Sequence, residues 1–167
     1  PEAAARFKSI DAEVKTILSK FSQLKNVVTS SCQEGLYKNL EKQQKELEIC
    51  EKALADYMES KRRAFSRFYF VSTADLLDIL SNGNSPMKCM IHTSKVFQAI
   101  DKLEVDNQNP PANVRPKALG MHSCVGKEYI PFKTPLDIQG KVEQYMNLYI
   151  DKMRAELKIN CYDALQA

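Results

Sequence analysis

Apolar residues in the first third of the chain recur at helical steps. Phe7, Ile10, Val14, Ile17, Leu18, Phe21 and Leu24 are spaced by threes and fours, which predicts a helix from Glu2 to about Val28 with these side chains on one face. Ser30, Ser31 and Cys32 break the pattern. From Leu36 it tightens: Leu36, Leu40, Leu47, Cys50, Leu54 and Tyr57 fall on alternating steps of three and four, with Gln43 the polar member of the series. That is a heptad seam. On the opposite face Glu34 and Lys38, Glu41 and Lys45, and Glu48 and Lys52 are acid-before-base pairs, each adding about 0.2–0.5 kcal/mol to a helix. A helix from Glu34 to Arg63 would run roughly 45 Å. Its natural partner is the first helix, folded back as an antiparallel hairpin that buries the seam.

The pattern then changes. In "SKRRAFSRFYFVSTADLLDIL", residues Phe65 to Val71 are aromatic and extended in character. Ser72 opens a capping box with Asp75, and a short helix from Ala74 to Leu80 ends at "NGNSP". Ser85-Pro86 restarts a helix whose apolar face is Met87, Ile91, Val96, Phe97 and Ile100. Val105 to Arg115 is polar and proline-containing, a surface loop. "KALGMHSCVGKEYIPF" reads as a β-hairpin of Lys117–Ser123 and Glu128–Phe132, with Gly126 supplying a positive φ in the turn. Pro131 cannot donate to a ladder, so the second strand is an edge. Val142, Tyr145, Met146, Tyr149, Ile150, Met153 and Leu157 give a final helix. The expected fold is mostly α: an elongated helical bundle with a long antiparallel helix hairpin and one small β-hairpin. Its segments are 1–63, 64–104, 105–133 and 134–167.

Composition narrows the function classes. The 167 residues carry a formal net charge of +3, mild for a dedicated nucleic-acid module. No stretch approaches the ~18 apolar residues of a membrane span. Five widely spaced cysteines without a Cys-x-x-Cys pair favour free thiols in a reducing compartment. The absence of an initiator Met reads as a segment truncated at both ends. Catalytic signals are thin. Gly120 and Gly126-Lys127 only approximate a phosphate loop, and Glu128 stands where a Ser or Thr would hold Mg²⁺. Cys89, His92, His122 and Cys124 could be assembled into a zinc site, but His-x-Cys in a strand is an uncommon half-site. The reading is no catalytic, cofactor or metal residue in this segment.

The basic–aromatic run admits three readings. Lys61, Arg62, Arg63 and Arg67 beside Phe65, Phe68, Tyr69 and Phe70 could be a nucleic-acid surface with stacking platforms, or a membrane-surface patch. The third reading is a junction: the cations complement the dipole at the end of the long helix, and Phe65, Phe68 and Phe70 plug the core before Ser72 opens the next helix. The junction reading is favoured, with no nucleic acid and no membrane as partner.

"DYMESKRRAFSRFYFVSTADLLDILSNGNSP" closely resembles the linker region of dynein heavy chains. The resemblance extends through "FKSIDAEVKTIL", "GLYKNLEKQQKELEICEKALADY", "KALGMHSCVGKEYIPF" and "GKVEQYMNLYIDKM", sparing the loop near Asn107–Asn113. The wording of "STADLLDILSNGNSP" is closer to axonemal outer-arm chains, and Ser66 departs from a proline usual in the family. The resemblance implies a non-catalytic helical lever lying across a ring of AAA+ modules in the same polypeptide. The ring would hold ATP and Mg²⁺, with microtubules reached indirectly through the parent motor and other dynein subunits as possible partners. It implies a place in the cytoplasm and cytoskeleton, in the axoneme of a cilium or flagellum. The turn Cys124, Val125, Gly126 and Lys127 is the expected ring contact, and Asn82–Ser85 or Asp106–Arg115 the expected hinge. The alternative is a stand-alone interaction module that uses the seam Leu36–Tyr57 to bind another helix.

Overall fold

A computed structural model describes residues 2–108, 110 and 114–166. Residues 109 and 111–113, within the loop and the hinge expected at Asp106–Arg115, lie outside the described residues. The chain divides into two compact units, Pro1–Glu59 and Ser60–Ala167. Each is mostly helical, and the second also carries a small antiparallel sheet.

The first unit holds α1 (Glu2–Leu24), α2 (Val27–Ser31) and the greater part of α3 (Leu36–Ala64). Helix α1 stops four residues short of the expected Val28. Lys25 takes a left-handed φ of 51° and its N–H reaches back to Phe21. Asn26 then caps α2 by accepting from the Thr29 N–H at 3.1 Å. An asparagine serves better as a cap than inside a helix, and that choice splits the element. Side-chain contacts between α1 and α3 run in opposite order along the two helices. The Cys50 thiol donates to the Ala3 carbonyl at 3.6 Å, Arg6 pairs with Glu46, and the Gln43 amide donates to Glu13 at 3.2 Å.

These contacts decide which face of α3 meets α1. Gln43 is buried, with Glu46 and Cys50 half-buried beside it. At about 100° per residue, Leu40, Leu47 and Leu54 lie along one flank of that line. They are 45%, 39% and 44% exposed, and Phe7 and Leu18 of α1 are exposed as well. The expectation that α1 buries the seam holds only in part: its members Gln43 and Cys50 meet α1, while Leu40, Leu47 and Leu54 do not close against it. An Arg–Glu pair and a glutamine set the meeting face, and the leucine line is left open. Of the three expected acid–base pairs, Glu41–Lys45 closes at 3.2 Å, while Glu48 accepts from Gln44 instead.

The second unit begins in the last turn of α3. A 3₁₀ turn (Ser66–Phe70) leads to α4 (Thr73–Ser81), α5 (Pro86–Cys89), a second 3₁₀ turn (Met90–His92) and α6 (Thr93–Val96). Then come β1 (Ile100–Val105), β2 (Lys117–Ser123), β3 (Tyr129–Asp137) and α7 (Val142–Gln166). The single helix expected from Ser85 through Ile100 is broken into short turns. The buried Cys89 thiol points to the Ile79 and Asn82 carbonyls, and Phe97 turns extended to set its ring 5.0 Å from that of Tyr149. Tertiary packing thus overrides helical spacing.

The expected lone hairpin is the β2–β3 part of a three-stranded sheet in order β1-β2-β3. The sequence pattern puts β1 partly in a helix and partly in a loop. In "IDKLEV" charges fill Asp101, Lys102 and Glu104, and the pairing to β2 is irregular at two points, so no clean alternation marks it. Strand β3 is an edge, where Pro131 and Pro135 are tolerated, and it runs five residues beyond Phe132. The core gathers Phe65, Phe68, Leu76, Ile79, Phe97, Met121 and Tyr149.

Gly120, in the central strand, is required by close approach. An added Cβ would lie 2.7 Å from the Ile130 carbonyl oxygen and 2.6 Å from the Tyr129 ring. The first is backbone and cannot swing aside. Gly120→Ala is expected to cost about 1–3 kcal/mol in urea unfolding, as overpacking does.

Candidate functional site

The stretch that stands out in the sequence, residues 60–80, forms the joint between the end of α3 and the rest of the second unit. Lys61, Arg62 and Arg63 occupy the last turn of α3, as cations at a helix C-terminus should. The Lys61 ammonium donates to Glu143 of α7 at 2.6 Å, with both side chains largely buried. Asn147, one turn on, donates from Nδ2 to the otherwise open carbonyl of Ala64 at 3.1 Å and to the Glu143 carbonyl at 2.9 Å. A helix ends with unsatisfied carbonyls, so a side chain from α7 completing one of them ties the two elements together. Arg62 lies 3.4 Å from the Thr73 hydroxyl at the start of α4.

Next, the aromatics sort themselves. Phe65 and Phe68 are 1% and 0% exposed, with rings edge-to-face at 4.7 Å. Phe70, expected to plug the core with them, is 76% exposed. An extended strand would have put Phe68 and Phe70 on the same face. The 3₁₀ turn has three residues per turn, so Phe70 follows Arg67 and leaves Phe68 alone inside. Arg67 rests over the Phe97 ring at 5.1 Å and donates to the Val96 carbonyl at 3.4 Å. Ser72 caps α4 by accepting from the Asp75 N–H at 3.1 Å, and its hydroxyl donates to the Asp75 carboxylate at 2.8 Å. Asp75 also accepts from Lys95 at 2.7 Å, and those two hydrogen bonds hold its carboxyl below the usual range.

A second tie escaped sequence reading. Glu156, 2% exposed, accepts from the Lys133 backbone N–H of β3 at 3.1 Å and pairs with Lys152 at 2.6 Å. Lys152 also donates to Thr134 and lies 5.5 Å from the Phe132 ring centroid. Burial opposes ionisation of Glu156, but Lys152 and the Lys133 N–H outweigh it and hold the carboxyl low. A Lys and a Glu four residues apart are ordinary on a helix surface, and nothing in the sequence marks this pair as buried.

The turn after β2 is tightly built. The Ser123 hydroxyl donates to the Val125 carbonyl at 2.6 Å and accepts from the Glu128 N–H at 3.0 Å. Gly126 and Lys127 take φ of 75° and 50°. Cys124 and Val125 are exposed at the tip. Three of the four side chains considered for zinc have other company. His92 lies 2.7 Å from Asp78 and His122 lies 3.0 Å from Glu104, while burial pushes the Cys89 thiol up. No group of three or more metal-ligating side chains forms among the described residues.

What these elements build is a joint: a helix end tied to α7, a plugged aromatic turn and a hairpin whose turn is closed by hydrogen bonds. The sequence matches the family described as "Dynein heavy chain, N-terminal region 2" over residues 1–164, and the chain belongs to that family. It is 61% identical over 159 residues to the flagellar outer-arm dynein alpha chain of Chlamydomonas reinhardtii. It is 44% identical over 165 residues to the ciliary dynein beta chain of Tripneustes gratilla, and 44% over 160 residues to dynein axonemal heavy chain 17 of Homo sapiens. These alignments cover 95–99% of the chain and 4% of each relative.

Proposed function

We propose that this segment is a non-catalytic mechanical linker of an axonemal dynein heavy chain. It carries ATP-driven changes in an AAA+ ring of the same polypeptide into movement along microtubules. The parent chain is then an ATP-hydrolysing motor whose ATP and Mg²⁺ sit in the ring, working in the axoneme of a cilium or flagellum beside other dynein subunits. Nucleic acid and membrane have no part in this reading. The observation that supports it best is the double tie of the α3 end to α7, through Lys61–Glu143 and Asn147–Ala64. A lever needs its long element anchored so that load reaches the body it moves.

The hairpin tip Cys124–Lys127 is the surface we assign to the ring, and the turn Asn82–Ser85 the segment we assign to bending. In microtubule gliding by the parent heavy chain, Val125→Asp is expected to slow movement at least twofold while ATP turnover persists. Unchanged gliding would remove the tip from the mechanism. The exposed line Leu40, Leu47 and Leu54 favours a second reading, a face that takes another helix. For that reading, sedimentation of the 167-residue chain should show self-association or helix capture that Leu47→Lys abolishes.

A further inference from the structure

A groove of about 270 Å³ in the second unit lies between the 3₁₀ turn and α7, floored by Phe65. One wall offers Ser66 and Arg67, and the other Asn147, Asp151 and Arg154. We propose that it binds a short peptide segment of a partner protein bearing an Asp or Glu beside an apolar residue.

The donors and acceptors favour a peptide over a free anion. Arg67 is held in place by stacking on Phe97 and by one bond to Val96, which leaves most of its five N–H donors for a ligand. Arg154 supplies a second guanidinium in the same groove. Two guanidiniums suit a carboxylate, which each can grip with two parallel bonds. Asn147 has both Nδ2 hydrogens committed to the Ala64 and Glu143 carbonyls, so the atom it offers is the acceptor Oδ1. Asp151 adds two more acceptor oxygens and a negative charge. A phosphate dianion would meet that charge and find no use for the acceptors. A peptide places its carboxylate on the arginines and its backbone N–H groups on Asn147 and Asp151.

The apolar part of the specificity comes from the far end of the same 3₁₀ turn, just outside the groove. In a 3₁₀ turn residues three apart eclipse each other, so Phe70 stands in line with Arg67. It is 76% exposed, a phenylalanine beside an arginine, two residue types enriched at interface cores.

The test is a random-peptide display library panned on the 167-residue chain, with binding of the enriched peptides measured by fluorescence anisotropy. The expected winners carry Asp or Glu next to an aliphatic or aromatic residue. Their affinity should fall about tenfold or more with Arg154→Glu and with Phe70→Ser, and stay unchanged with Lys20→Glu on the exposed surface of α1. Arg154 and Phe70 are exposed, so both variants should keep the wild-type circular dichroism spectrum. Millimolar inorganic phosphate should fail to displace the peptides. An enriched set without acids, no enrichment over the Arg154→Glu chain, or displacement by phosphate would overturn the proposal.

Discussion

Phe68→Ala is expected to lower stability by about 3–5 kcal/mol, while Phe70→Ala, two residues on, should change it by less than about 0.5 kcal/mol. Phe68 is wholly buried, its ring edge-on to Phe65 and continuous through Phe65 and Phe97 with Tyr149. Truncation removes a large apolar side chain from water-free surroundings and leaves a cavity that a braced turn cannot collapse to fill. Phe70 has little to lose, since most of its surface already faces water. Urea unfolding of the two variants reads the difference directly. Equal losses at both positions would mean that the turn is extended after all.

The second large effect is expected at Glu143. Glu143→Ala should cost about 3 kcal/mol, because it removes the carboxylate paired at 2.6 Å with the largely buried Lys61 ammonium. The double variant Lys61→Met/Glu143→Leu should recover most of that loss, since apolar pairs replace buried ion pairs at little cost. The pair also carries a pH signature. Burial works against ionisation of Glu143, but the Lys61 hydrogen bond, its own backbone N–H and nearby charge outweigh it, so the carboxyl is held below its ordinary value. A depressed carboxylate stabilises the fold fully above the unfolded value of about 4.3 and loses that contribution as pH falls below it. The gap between wild type and Glu143→Gln should therefore be constant near neutrality and close as the solution is acidified from about pH 4 downward. A gap that widened in acid would contradict the pairing.

Local patterns showed part of this architecture from the sequence alone. Strand β2 was legible to its end residues, because Gly126 and the flanking apolar alternation are turn and strand chemistry in themselves. The Ser72 cap was legible for the same reason. What stayed hidden depended on partners far along the chain. Strand β1 exists because β2 offers it an edge, and its own charges mask the alternation. In an extended stretch Phe70 would be equivalent to Phe68, and only the 3₁₀ turn separates them. Spacing marks the seam of α3 as one closed line, yet Arg6–Glu46 and Gln43–Glu13 draw α1 toward its polar side and leave Leu40, Leu47 and Leu54 largely exposed. Lys61–Glu143, the pair on which the mechanical reading leans, joins residues 82 positions apart that carry no local mark.

The mechanical reading is tested most directly by loosening the α3 end without touching any catalytic module. A Gly-Gly-Ser insertion between Arg63 and Ala64 breaks the register that lets Lys61 reach Glu143 and Ala64 reach Asn147 together, and softens the last helical turn. In the parent heavy chain the insertion should leave ATP turnover in place and cut microtubule gliding velocity several-fold. Gliding at wild-type velocity, with turnover intact, would contradict the claim that this joint transmits force.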